Sequence, residues 1–80
     1  MTLREALISA IRTLESHGLE DANLEARLLL GHALGLGRID LYLRLDEALT
    51  PEAKLAVSRL LERRLHGEPT SYILGRKDFF

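Results

Sequence analysis

The sequence has no cysteine and no tryptophan, and only two tyrosines and two phenylalanines occur among its 80 residues. Without cysteine, a disulfide framework, a thiolate nucleophile and a cysteine-ligated zinc site are all excluded. A chain of this length has a small core and no room for the several βαβ units of a doubly wound nucleotide-binding fold. We therefore expect one small globular domain.

Neither an excess of charge nor a long apolar run is present. Eleven Lys and Arg stand against twelve Asp and Glu, a formal net charge of −1, so the chain has no general attraction to nucleic acid or anionic membrane. The N-terminus is amphipathic from Thr2 onward, and this pattern argues against a signal peptide or a transmembrane helix. We expect a cytoplasmic protein whose partners include neither membrane nor nucleic acid.

Leucine and alanine supply most of the hydrophobic content, which favours helices over strands. The spacing of apolar residues predicts helices over residues 3–16, 22–34, 38–44 and 51–66, and a single helical turn over 70–74 that Gly75 ends. The predicted fold class is all-α: a small bundle of four to five short helices, with an extended C-terminal segment starting near residue 76.

Local signals support these helix ends. Thr2 and Glu5 have the spacing of a capping box, Asp21 is suited to be an N-cap, and Thr50 followed by Pro51 is a typical helix start. Glycines follow three of the predicted helices, where a left-handed residue is commonly required: Gly18, Gly35 and Gly67. The second helix is apolar around most of its circumference, so we expect it at the centre of the bundle.

The stretch after Gly37 is ambiguous. Ile39, Leu41 and Leu43 alternate with polar residues, and a period of two is typical of a half-buried strand. No second run lies close enough to pair with such a strand, and an isolated strand would leave its backbone groups without partners. We therefore interpret residues 38–44 as a short helix.

The last five residues differ in character from the rest. Residues 76–80 resemble the opening of a strand, and each of Phe79 and Phe80 would gain about 1.5–3 kcal/mol from burial. We expect the chain to be a fragment of a longer protein, with a helical domain over residues 1–75 and the start of a linker strand over 76–80.

Motifs for catalysis are absent. The three histidines are far apart in the sequence, which argues against a metal or proton-transfer site. Gly35 and Gly37 have neither a preceding strand nor the third glycine of a dinucleotide-binding loop. No catalytic, cofactor-binding or metal-ligating residue is predicted. The local concentration of Arg59, Arg63 and Arg64, with Arg76 and Lys77 further on, is either a solvated helix end, a docking patch for an acidic protein surface, or a contact for nucleic acid.

The run RRLHGEPTSYILGRKDFF over residues 63–80 resembles the stretch R-R-x-x-G-E-P-x-x-Y-I-L-G-x-x-x-F in the HemK/PrmC family. In that family the stretch joins an N-terminal helical domain to a catalytic domain. The segment LEARLLLGHALG over residues 24–35 is similar to the second helix of the family, and LTPE over 49–52 to the entry of its fourth helix. Asp78 stands where the family more often has Glu, which keeps the charge.

Members of this family are S-adenosylmethionine-dependent methyltransferases that modify the glutamine of a Gly-Gly-Gln motif in peptide chain release factors. The family's glycine-rich cofactor loop and its Asn-Pro-Pro-Tyr motif are not in this sequence. The resemblance therefore implies a protein-(glutamine-N5) methyltransferase only for the full-length protein, where S-adenosylmethionine is expected, and implies no cofactor for this chain. The chain itself would help to recognise and position the release factor.

The resemblance implies two partners, the release factor and the protein's own catalytic domain, and we expect the chain alone to be a monomer or a weak dimer. Arg59, Arg63 and Arg64 are the candidate partner-binding residues. Hinge or packing roles between the domains are implied for Gly67, Glu68, Pro69, Tyr72, Gly75, Phe79 and Phe80. Tyr72, Ile73 and Leu74 are expected to pack back on the bundle, with a hinge as the alternative role. The alternative is a free-standing helical interaction module, either a protein adaptor or a DNA-associated domain.

Overall fold

The computed structural model describes residues 1–75, and five α-helices lie within that range. They are α1 (Leu3–Ser16), α2 (Ala22–Leu34), α3 (Arg38–Leu43), α4 (Pro51–Leu65) and α5 (Thr70–Leu74). The predicted all-α bundle is confirmed for these residues, which include no named strand. The extended segment predicted from residue 76, with Phe79 and Phe80, lies outside the described residues.

Side-chain caps fix the starts of α1 and α4. The Thr2 hydroxyl accepts a hydrogen bond from the Glu5 N–H at 3.2 Å, and the Glu5 carboxylate accepts one from the Thr2 N–H at 2.8 Å. The Thr50 hydroxyl accepts from the Ala53 N–H at 3.1 Å. Asp21 is the N-cap residue of α2 as predicted, but its side chain makes no cap hydrogen bond, since its backbone (ψ 43°) is not extended.

Helix α2 is the centre of the bundle, as its apolar circumference predicts. It contacts each of the other four helices of residues 1–75. Its buried residues Ala26, Leu29 and Leu30 are at most 1% exposed, and they meet Leu3 and Leu14 of α1 in one core. Among the residues described, no helix has both the length and the apolar character to cross a membrane.

The ambiguous stretch is a helix, and its alternating pattern has an unusual consequence. Leu41 is 2% exposed, whereas Ile39 and Leu43 are 72% and 76% exposed. Because successive helical residues are about 100° apart, positions 39 and 43 share one side and position 41 lies nearly opposite them. Helix α3 therefore buries one leucine and presents two large apolar side chains to solvent.

The connection from α3 to α4 passes beside the N-terminus of α1. The N–H groups of Leu3 and Arg4 donate to the carbonyls of Glu47 and Leu45 at 2.9 and 2.8 Å. The Leu49 N–H donates to the Met1 carbonyl at 2.9 Å. First-turn amides, which a helix cannot satisfy internally, thus find backbone partners in this connection. No local pattern in the sequence indicates this pairing.

Candidate interdomain hinge and docking surfaces

A tight bend joins α4 to α5. Helix α4 ends at Leu65, one residue before the predicted end, and Gly67 follows with φ +105°, a conformation that side-chain-bearing residues rarely adopt. Pro69 precedes α5 with φ −64° and ψ 146°. We call residues 66–69 the elbow. The glycine turns the chain and the proline prevents α4 from continuing, so the elbow redirects the backbone sharply.

One carboxylate on α2 accepts hydrogen bonds from residues on both sides of the elbow. The Arg64 Nε–H donates to Glu25 Oε1 at 2.6 Å, and the Thr70 hydroxyl donates to the same oxygen at 2.8 Å. The Arg64 and Glu25 side chains are each only 18% exposed. We call these three residues the Glu25 clamp. It fastens the last turn of α4 and the first residue of α5 to the central helix.

The clamp changes the acidity of its carboxyl group. Burial of Glu25 favours the neutral form and by itself raises the pKa. The hydrogen bonds from Arg64 and Thr70, together with the positive charge of Arg64, outweigh burial and hold the pKa of Glu25 below its ordinary value of 4.5. The carboxylate is therefore ionised at neutral pH, when it accepts hydrogen bonds from both partners.

A second ion pair spans the elbow on its outer side. Arg63 donates to the two carboxylate oxygens of Glu68 at 2.8 to 3.2 Å. This hydrogen bonding lowers the pKa of Glu68 and raises the pKa of Arg63. The two side chains are 44% and 35% exposed, so solvent weakens the attraction between them.

The three arginines predicted as one partner-binding patch lie in different environments. Arg64 is directed to Glu25 inside the fold and Arg63 to Glu68, whereas Arg59 is exposed on α4 and makes no ion pair within residues 1–75. Contact of these residues with a partner stays a prediction. Sequence reasoning missed Glu25, although a carboxylate on a helix predicted to be mostly buried requires a partner.

The residues predicted to form or flank the hinge also differ in their exposure to solvent. Ile73 and Leu74 of α5 are 5% and 7% exposed and pack on the bundle, and Gly75 ends α5 with φ +64°. Tyr72, which was expected to pack beside them, is instead 73% exposed, because a single helical turn cannot direct three consecutive side chains inward. The interdomain roles themselves stay predictions.

A groove of about 580 Å3 lies between α2 and α3. Its lining comprises Leu24, Arg27, Leu28, Gly31, His32, Gly35, Leu36, Gly37, Arg38, Leu41 and Leu74. Arg27 is fixed at the edge of this α2–α3 groove, since its Nη1 donates to the Tyr42 hydroxyl at 3.0 Å and its Nε donates to the Asn23 carbonyl at 3.3 Å.

No group of three His, Asp or Glu residues within the described part of the chain could hold a metal ion. Gly35 ends α2 in the left-handed conformation, and Gly37 is the N-cap residue of α3. These two glycines therefore join two helices, and they do not form the strand-to-helix loop that binds a dinucleotide phosphate.

The chain resembles known methyltransferases along nearly its whole length. The Moorella thermoacetica "Release factor glutamine methyltransferase" is 43% identical over 79 residues, 99% of this chain and 28% of that protein. The Geobacter sulfurreducens protein of the same name is 42% identical over 78 residues, 98% of this chain and 28% of that protein. A Rickettsia felis "Bifunctional methyltransferase" is 37% identical over 79 residues, 99% of this chain but 15% of that protein.

The chain thus spans 28% of the length of the first two relatives. No solved structure gives a significant match. The family described as "PrmC N-terminal domain" matches residues 5–75, which include all but two residues of α1 and the whole of the other four helices. The resemblance inferred from the sequence is thereby confirmed, and this chain belongs to the PrmC N-terminal domain family.

Proposed function

We propose that residues 1–75 form the substrate-recognition domain of a release factor glutamine methyltransferase and that residues 76–80 begin the link to its catalytic domain. The observation that carries this proposal is identity of 42–43% along at least 98% of the chain with two proteins of that name. The proposal places the protein in the cytoplasm, where release factors act. Each relative named above is a methyltransferase by name, so the adaptor and DNA-associated alternatives gain no support.

Under this proposal the methyl group comes from S-adenosylmethionine bound outside this chain. Gly31 lies within α2, and Gly35 and Gly37 join α2 to α3, so these glycines of residues 1–75 do not fit a nucleotide-type cofactor loop. The chain's own contribution is to bind and orient a protein substrate.

Orientation matters because transfer of a methyl group requires close, in-line approach of donor and acceptor. Correct positioning of two reactants is worth about 7–11 kcal/mol in favourable cases. A release factor is large, so a second rigid surface can restrict its approach without touching the reacting atoms. A helical domain fixed relative to the catalytic domain supplies such a surface.

The elbow and the Glu25 clamp support a fixed geometry. Since Thr70 is held to Glu25 at 2.8 Å, α5 cannot rotate about the elbow without breaking a part-buried hydrogen bond. We propose that Gly67, Glu68, Pro69 and Gly75 set the direction in which the chain leaves the bundle. Arg63 and Arg64 would serve this positioning role, and Arg59 would keep the predicted docking role.

The proposal is tested on the complete protein with and without residues 1–75. Removing them should raise the KM for an intact release factor several-fold and leave methylation of a short Gly-Gly-Gln peptide nearly unchanged. Binding of the separate chain to the release factor should be measured in parallel, because the shortened enzyme could fail to fold. No binding by a folded chain, or an unchanged KM, would overturn the proposal.

A further inference from the structure

We propose that the α2–α3 groove binds an acidic, apolar segment of a partner protein. The inference rests on the proposed function in taking a release factor as that partner, but the chemistry of the segment follows from the groove itself. Charge complementarity is the observation that carries it.

The charged lining of the groove has one sign. Arg27, Arg38 and His32 are its ionisable side chains, and no Asp or Glu is among the described residues that line it. This asymmetry stands out in a chain whose formal net charge is −1. Arg27 is oriented by Tyr42 and Asn23, and its other N–H groups have no acceptor within residues 1–75. Such a rim favours carboxylates and disfavours Lys or Arg on the bound segment.

The rest of the lining is apolar. Five leucines contribute to it from α2, the following turn, α3 and α5: Leu24, Leu28, Leu36, Leu41 and Leu74. Leu24 is 48% exposed. Leu41 and Leu74 are already buried in the fold. Burial of the remaining exposed surface of Leu24, Leu28 and Leu36 against apolar side chains supplies affinity, while the cations at the edge select the orientation and sign of the partner. A segment with leucine-like residues on one side and Asp or Glu beside them matches both features.

Two other occupants match less well. Residues 76–80 of this chain contain Arg76 and Lys77 against one acidic side chain, Asp78, so that segment would bring positive charge to a positive rim. A second copy placed by two-fold symmetry would bring the same basic rim against itself. Like charges held close together oppose association, so both alternatives are disfavoured relative to an acidic segment.

Arg38→Glu is the informative variant. Arg38 is exposed and is the first residue of α3, where a carboxylate interacts favourably with the helix dipole, so the exchange should not unfold the helix. Arg12→Glu makes the same charge change on an exposed position of α1, a helix that contributes nothing to the groove lining. Leu24→Gln removes apolar surface from the groove at a residue that is already half exposed.

The chain is titrated, with amide chemical shifts recorded, against three probes: a bacterial release factor, a synthetic amphipathic peptide carrying Leu and Glu, and its Lys-for-Glu counterpart. We expect the release factor and the acidic peptide to change the amide chemical shifts of groove residues, and the basic peptide to change none of them. Arg38→Glu should weaken both interactions about three- to tenfold and reduce their salt dependence, and Arg12→Glu should change neither. Leu24→Gln should weaken binding without changing the salt dependence.

Different failures separate the two proposals. Release-factor binding that shifts only residues outside the groove overturns the groove assignment and leaves the proposed function intact. Groove binding by the acidic peptide with no release-factor binding supports the groove chemistry and contradicts the proposed function. If neither the release factor nor the acidic peptide binds, the groove assignment and the proposed function are both overturned. Groove shifts that depend on chain concentration, or that appear on deletion of residues 76–80, assign the groove to a second copy or to the chain's own tail and overturn the inference.

Discussion

Glu25 on α2 and Arg64 on α4 are 39 residues apart in sequence, and their side chains meet at 2.6 Å in a pair that is largely shielded from solvent. Thr70 donates to the same Glu25 oxygen at 2.8 Å from the start of α5. One carboxylate therefore connects the central helix to both helices that flank the elbow. The position of α5 at the C-terminal end of the bundle therefore depends on a residue of the central helix α2.

Replacing Glu25 by Gln should destabilise the chain by about 1–3 kcal/mol. The amide keeps the shape of the side chain but loses the negative charge opposite Arg64, and it can present N–H groups to two donors. Urea unfolding followed by circular dichroism measures the change. Glu15→Gln is the matched control, since Glu15 is exposed on α1. Equal stabilities of the two variants would show that the clamp does not contribute.

The stabilisation by Glu25 should depend on pH. Because its pKa is lower in the folded chain than the ordinary 4.5, the unfolded state binds a proton first as pH falls. The contribution is fully present above the unfolded-state pKa and is lost as pH falls through the folded value. Glu5 and Glu68 also have lowered pKa values, so acid sensitivity of the wild type alone is not specific to the clamp.

Comparing the wild type with Glu25→Gln at each pH removes those shared contributions. The difference in unfolding free energy should be constant between about pH 6 and 8 and should shrink below about pH 4.5, where a protonated Glu25 resembles Gln. A difference that stays the same down to acidic pH would contradict the role assigned to the ionised carboxylate.

How far the sequence predicts this molecule depends on the range of the interactions involved. Caps are local, so Thr2 and Thr50 mark the starts of α1 and α4 and Gly35 marks the end of α2. The direction of Arg64 is set by how α4 packs on α2, and local spacing carries no information on it. The same holds for the α2–α3 groove and for the pairing of residues 45–49 with α1, because both arise only once distant segments meet.

Gly31 should be a position where even a methyl group destabilises the fold. A Cβ there would lie 2.8 Å from the Leu36 carbonyl oxygen, and the Leu36 N–H donates to the Gly31 carbonyl at 2.8 Å. Gly31→Ala must therefore move the backbone of the turn, at a cost of about 1–3 kcal/mol. Thermal unfolding measures the loss. Gly37→Ser should be nearly neutral, because Gly37 has negative φ and open space around it; similar losses in both variants would contradict this explanation.

The N-cap of α4 should contribute about 1 kcal/mol. Thr50→Val keeps the size of the side chain but removes the oxygen that accepts from the Ala53 N–H at 3.1 Å. Thr50→Ser should restore most of the stability, since the serine hydroxyl can accept the same bond. Guanidinium unfolding of the three proteins is the measurement, and a serine variant no more stable than the valine variant would assign the loss to packing.

Charge reversal should separate the three arginines of α4. Arg64→Glu places a carboxylate beside Glu25 in a part-buried site and should destabilise the chain by about 3 kcal/mol, while Arg63→Glu should cost less because that pair is more exposed. Arg59→Glu should leave stability unchanged and weaken binding to a release factor, and Arg12→Glu should affect neither. Circular dichroism and titration calorimetry on the four variants are the measurements. If Arg59→Glu does not change the affinity for a release factor, α4 is not part of the docking surface. If Arg64→Glu is as stable as Arg59→Glu, the fold does not depend on the Glu25 clamp.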